Sequence, residues 1–130
     1  TIQTRLGWSY SETVYTIYHA QNDNESRGYA LVMNEMGKHY PMTFMVHIKP
    51  DFTVGDVVFM VYRERIGAEV RKKRFLKQFK SKSSTDNLMV DSDINGISGA
   101  TISSWAVTAG VKKALIIVEE TIQNVTQEKS

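Results

Sequence analysis

Asn95-Gly96-Ile97-Ser98-Gly99-Ala100-Thr101-Ile102-Ser103-Ser104 is the turning point of this 130-residue chain. Beyond it, Val107, Val111, Ala114, Val118, Ile122 and Val125 recur at intervals of three and four. That period predicts one long amphipathic helix over roughly Ile102 to Val125. Before it, the period is two. Thr43 to Lys49 alternates, with Phe44, Val46 and Ile48 on one face. Thr13 to Ala20 and Tyr29 to Met33 are rich in β-branched and aromatic residues and read as strands. Val57 to Arg63 is a near-continuous apolar run, the pattern of a buried central strand. Polar turns separate these strands at Gln21 to Gly28, around Gly37 and at Pro50 to Asp56. Val70 to Phe79 fits a short amphipathic helix, and Leu88-Met89-Val90 offers one more short strand. Strands first and helices after predict an α+β fold, an antiparallel sheet meander packed with one short and one long C-terminal helix. Residues 1–130 are expected to form a single domain.

Composition removes several chemistries. The chain has no cysteine, which excludes disulfides, thiolate catalysis and iron–sulfur ligation. His19, His39 and His47 are scattered and fit no metal-binding pattern, so neither a metal nor a catalytic residue is expected. Walker A and GxGxxG loops are absent. Gly96-Ile97-Ser98-Gly99-Ala100 approaches the GxSxG nucleophile elbow, but its last glycine is alanine and both His39 and His47 precede the serine. No apolar run reaches ~18 residues, so no bilayer span is expected. The first residue is Thr1 rather than Met, so a processed N-terminus is expected, with any export signal or membrane anchor removed.

Charge is concentrated. Arg71, Lys72, Lys73, Arg74, Lys77, Lys80 and Lys82 make a segment of +7 in a chain of net charge +2, which leaves −5 for the remainder. Such a segment fits a solvated helix face or a docking face for an acidic partner. A nucleic-acid groove interleaves aromatics that stack on bases, whereas Phe75 and Phe79 stand four apart, as in a core-facing stripe. Nucleic acid is therefore not an expected partner.

The glycine-bearing turn before the long helix suits an anion. First-turn amides lack intrahelical acceptors, and the helix dipole adds positive charge there. Gly96 and Gly99 permit close approach, and Ser98, Thr101, Ser103 and Ser104 add hydroxyls. Ordinary N-capping by Ser98 or Thr101 explains the same residues equally well.

Ile97-Ser98-Gly99-Ala100-Thr101-Ile102-Ser103-Ser104 resembles the signature of the FMN-binding domain family. That family includes flavin subunits of the sodium-translocating NADH:quinone reductase and of the Rnf electron-transport complex. The resemblance runs in order through Gly28-Tyr29-Ala30, Pro50-Asp51 to Val61, Glu64-Arg65-Ile66-Gly67 and Arg74-Phe75-Leu76-Lys77-Gln78-Phe79-Lys80. It implies an FMN cofactor and electron transfer. In such proteins a flavin transferase can esterify FMN to the signature threonine, here Thr101. Ser98, Gly99 and Ala100 would cradle the phosphate, helped by Ser103 and Ser104. Glu64, Arg65 and Gly67 would lie near the flavin ring, where Arg65 would favour the anionic reduced flavin. The resemblance also implies a redox protein or membrane electron-transport subunits as partners, and an extracytoplasmic or membrane-associated location. Two positions depart from the pattern. Asn95 stands where the transferase usually meets aspartate, and Arg65-Ile66 replaces Thr-Pro. The other open readings are an anion- or ligand-binding module without catalysis and an assembly module without functional flavin.

Overall fold

The computed structural model describes residues 2–5, 15–61, 70 and 72–128. Five strands form one antiparallel sheet in sequence order: β1 (Ile2–Arg5), β2 (Thr16–Asn22), β3 (Glu25–Met36), β4 (Pro41–Ile48) and β5 (Val54–Val61). α1 (Lys73–Leu76) follows and tightens into a 3₁₀ turn at Lys77–Phe79, and α2 (Thr101–Glu128) closes the chain. The expected meander and its two helices are present, with β1 as an additional strand ahead of them.

Alternation decides which sheet face is covered. Ile17 on β2, Tyr29, Leu31 and Met33 on β3, and Phe44, Val46 and Ile48 on β4 are all buried. Cross-strand register pairs Ile17 with Leu31, Leu31 with Val46 and Met33 with Phe44, so these side chains share one face. α2 covers that face with Val107, Val111, Ala114 and Val118, the residues whose period predicted it. A Cβ on Gly110 would stand 2.6 Å from Phe44 Cζ and 2.8 Å from Glu35 Cγ, so glycine sets how closely α2 approaches β3 and β4. Lys113 Nζ reaches Glu35 at 3.1 Å beside this crossing.

Several expectations change. The Gln21–Gly28 segment is mostly strand: β2 and β3 turn on Asp23 and Asn24 alone, with φ of 54° and 66°. Those are the residue types that tolerate the left-handed region in a two-residue hairpin. β5 is an edge strand rather than a central one. Its apolar run divides between Val54 and Val57, which enter the core, and Val58, Met60 and Val61, which stand exposed on the other face. The helix expected from Val70 is four residues plus a 3₁₀ turn. Phe75 and Phe79 nevertheless pack edge-to-face at 5.5 Å in the core, as their spacing required. Leu88-Met89-Val90 is a loop with one isolated bridge, Val90 to Ile94. Finally, Thr101–Val125 does meet the length and composition of a bilayer-spanning helix, yet 56% of its most apolar stretch is buried inside the fold. The side chains that make it apolar are those that cover the sheet.

Candidate functional site

The turn before α2 is held from both sides. Ile97 N donates to Ser104 Oγ at 3.1 Å, and Ser104 Oγ donates to the Ala100 carbonyl at 2.8 Å. Ala100 N closes the turn on the Ile97 carbonyl at 2.9 Å. On the far side, Gln78 grips Asn95 in both directions. Asn95 N donates to Gln78 Oε1 at 2.7 Å, and Gln78 Nε2 donates to the Asn95 carbonyl at 3.0 Å. Gln78 Nε2 also reaches the Phe75 carbonyl at 3.2 Å. Each such bond contributes about 1 kcal/mol, and together they fix the loop against the 3₁₀ turn.

This bracing sorts the predicted site residues. Ser98, Gly99 and Thr101 are exposed, whereas Ala100, Ser103 and Ser104 are buried. The Ser104 hydroxyl is spent inside the loop, and neither Ser98 nor Thr101 makes a side-chain capping bond among the described residues. Gly99 has φ +81°, and a Cβ there would meet nothing within 4 Å. Its backbone therefore faces open space in a conformation that glycine adopts without strain. The amides of Thr101, Ile102 and Ser103 begin α2 and have no intrahelical acceptor. Glu64, Arg65 and Gly67 lie outside the described residues.

A cleft of about 470 Å³ opens beside this turn. Lys72, Arg74 and Lys77 bring positive charge to it, Phe75 and Gln78 form part of its wall, and the Asn95–Ile97 backbone closes it. The sequence showed the charge of this segment but not its juxtaposition with the turn. The signal that carries it is the Phe-x-x-Gln-Phe pattern: two buried phenylalanines orient the helix so that Gln78 meets Asn95. Among the described residues no group of His, Asp or Glu is arranged to hold a metal ion.

The loop between the 3₁₀ turn and α2 is braced by one carboxylate. Asp93 accepts from the amides of Leu88 and Met89, each at 3.0 Å, and lies 3.6 Å from Lys82 Nζ. The Met89 and Leu88 amide bonds hold its pKa below the ordinary value of 3.8. Lys112, on α2, donates to the carbonyls of Asp86 at 2.6 Å and Asn87 at 3.3 Å. His19 is stacked on Tyr29 and hydrogen-bonded to Ser26 at 2.9 Å, with burial lowering its pKa, a setting of packing rather than ligation.

The profile of the FMN-binding domain matches residues 37–116, which include β4, β5, α1, the braced turn and the first half of α2. The chain is also 35% identical over 106 residues to a component of the proton-translocating ferredoxin:NAD(+) oxidoreductase complex of Clostridium ljungdahlii. That alignment covers 75% of this chain and 57% of the relative, so the chain spans somewhat over half the length of that protein. A profile match over more than half of the chain places it: the protein belongs to the FMN-binding domain family, and FMN is its cofactor.

Proposed function

We propose that this domain holds the FMN phosphate at the first turn of α2, esterified to Thr101, and relays electrons between redox partners of a membrane-associated complex. The observation that carries the reading is the sorting at the turn, where Ser98, Gly99 and Thr101 face solvent while the neighbouring hydroxyls of Ser103 and Ser104 are buried. FMN fits these residues. A phosphate at Thr101 meets the unpaired first-turn amides and the positive end of the α2 dipole, and Gly99 leaves room beside it.

FMN supplies the oxidation–reduction chemistry when bound, and the protein supplies position and field. Thr101 Oγ would be the acceptor atom: its O–H proton is lost as an O–P bond forms, and the phosphoanhydride bond of an activated flavin nucleotide brought by a flavin transferase breaks, the departing nucleotide phosphate taking the electron pair and the proton. Gln78 and Ser104 hold the turn so that this hydroxyl stays presented. Lys72, Arg74 and Lys77 place positive charge beside the turn, which favours bound anions and draws an acidic partner toward this end of the molecule. The kinship with a component of an oxidoreductase complex supports partners of the same kind and a location at a membrane.

Intact mass with a visible spectrum, after co-expression with a flavin transferase, tests the reading. A yellow protein carrying the mass of one FMN after denaturation is the expected result. A yellow protein that loses its colour on denaturation retains FMN binding and removes the ester. A colourless protein leaves an anion-binding or assembly module.

A further inference from the structure

Asparagine is a thermolabile residue, and of the six in this chain one, Asn95, is followed by glycine. Asn95 and Gly96 are both exposed and stand on the wall of the basic cleft. Gln78 holds Asn95 by its backbone N–H and C=O alone, and the Asn95 side-chain amide makes no bond among the described residues. The Gly96 N–H likewise meets no acceptor among them. The fold asks for glycine here, because a Cβ would stand 2.8 Å from Val90 Cγ1.

These features suit one reaction, the attack of a backbone nitrogen on the side-chain amide that precedes it. Gly96 carries no side chain to obstruct the approach, and its N–H has no hydrogen bond to break first. Gln78 Nε2 donates to the Asn95 carbonyl at 3.0 Å, which draws electron density from the same peptide unit and makes the Gly96 N–H more acidic. Lys72, Arg74 and Lys77 line the cleft, and no carboxylate does among the described residues. Their field stabilises the nitrogen anion and the oxyanion that follows it.

We propose that Asn95-Gly96 is a self-modifying site, which turns the asparagine into a carboxylate on the wall of the basic cleft. Gly96 N gives its proton to hydroxide and attacks Asn95 Cγ. A bond forms between them, the Cγ–Nδ2 bond breaks, and ammonia leaves with that electron pair and a proton from water. Water then opens the cyclic imide. Opening at Cγ restores the main chain with aspartate at position 95, and opening at the backbone carbonyl leaves the isoaspartyl linkage. One water is consumed, one ammonia is released, and nothing is oxidised or reduced. The step needs no enzyme and does not reverse, so the carboxylate accumulates with the age of the molecule. Each event subtracts one unit from the positive charge that the cleft offers an anion. None of this depends on where FMN is held.

The full chain, incubated in mildly alkaline buffer made with heavy-oxygen water and read by peptide mapping, tests the site. Wild type should gain one labelled carboxylate at residue 95, as aspartate and isoaspartate, at a rate proportional to hydroxide. The exposed Asn24, Asn34 and Asn87 are internal references and should remain amides over the same interval. Asn95→Gln keeps the backbone clamp and should lose the gain, because its longer side chain must close a larger ring. Asn95→Asp marks the elution of the aspartyl product on ion exchange. The native chain should react at least as fast as the same chain unfolded in urea. Slower reaction in the native chain shows that the fold shields the dipeptide and overturns the proposal. So does an unchanged residue 95, equal conversion at the reference asparagines, or a gain retained by Asn95→Gln.

Discussion

Thr101 and Asn95 stand at opposite ends of one short turn and contribute in different ways. Thr101 is exposed and its hydroxyl makes no bond among the described residues, so on the proposed attachment Thr101→Ala should abolish covalent flavin while leaving the amide cradle able to take dissociable FMN. Thr101→Ser should retain part of the attachment. Asn95 is held through its backbone, so Asn95→Asp should keep the Gln78 clamp while restoring the carboxylate usual in the transferase pattern. The covalent fraction, read by intact mass after denaturation, should rise in Asn95→Asp; complete modification of wild type would show that asparagine is no handicap. Gly99→Ala forces a side chain into φ +81° with open space around it, a cost of about 1–2 kcal/mol from backbone strain alone. Thermal unfolding should report that loss, and FMN loading should fall with it. At this scale the hydroxyl-rich signature was legible in the sequence. Which hydroxyls face solvent was not, because the fate of Ser104 depends on a bond from Ile97 that only the closed turn creates.

Elements explain the rest of what the sequence showed and withheld. The period of α2 was readable because every third or fourth side chain meets the sheet. The edge position of β5 was not, since an apolar run looks alike whether its second face is covered by a helix or open as at Val58 and Met60. The two-residue turn at Asp23-Asn24 was hidden by the polar residues on either side, which pair as strand. Two elements meet tightly at Gly110. Gly110→Ala should overpack against Phe44 and cost about 1–3 kcal/mol, seen as a lower denaturation midpoint. The 88–93 loop has a pH dependence of known sign. Because the pKa of Asp93 is lowered in the fold, its bracing is fully present above the ordinary carboxylate value and is lost as pH falls through the lowered one. Amide exchange at Leu88 and Met89 should therefore accelerate on acidification, and Asp93→Ala should show the same acceleration at neutral pH.

For the molecule as a whole, charge and core occupy different regions. The core lies between the sheet and α2, while the basic residues gather at the cleft beside the turn. Replacing Lys72, Lys73 and Lys77 with Ser should slow electron transfer to an acidic partner at low salt and leave wild type and variant alike at high salt. Folding should hardly change, because these side chains are exposed. A rate that responds neither to salt nor to the substitutions would mark the segment as a solvated face.

The order of elements along the chain gives the braced turn a place in time. The strands and the 3₁₀ turn precede the braced turn and α2 along the chain, so they are synthesised first. Gln78 waits for Asn95, and Ile97 waits for Ser104, which waits in turn for the helix whose body seals the sheet. Thr101 thus acquires its setting only once the turn and α2 have closed on the 3₁₀ turn and the sheet. An enzyme that recognises this setting would distinguish finished molecules from nascent ones, so that colour itself would certify a completed fold.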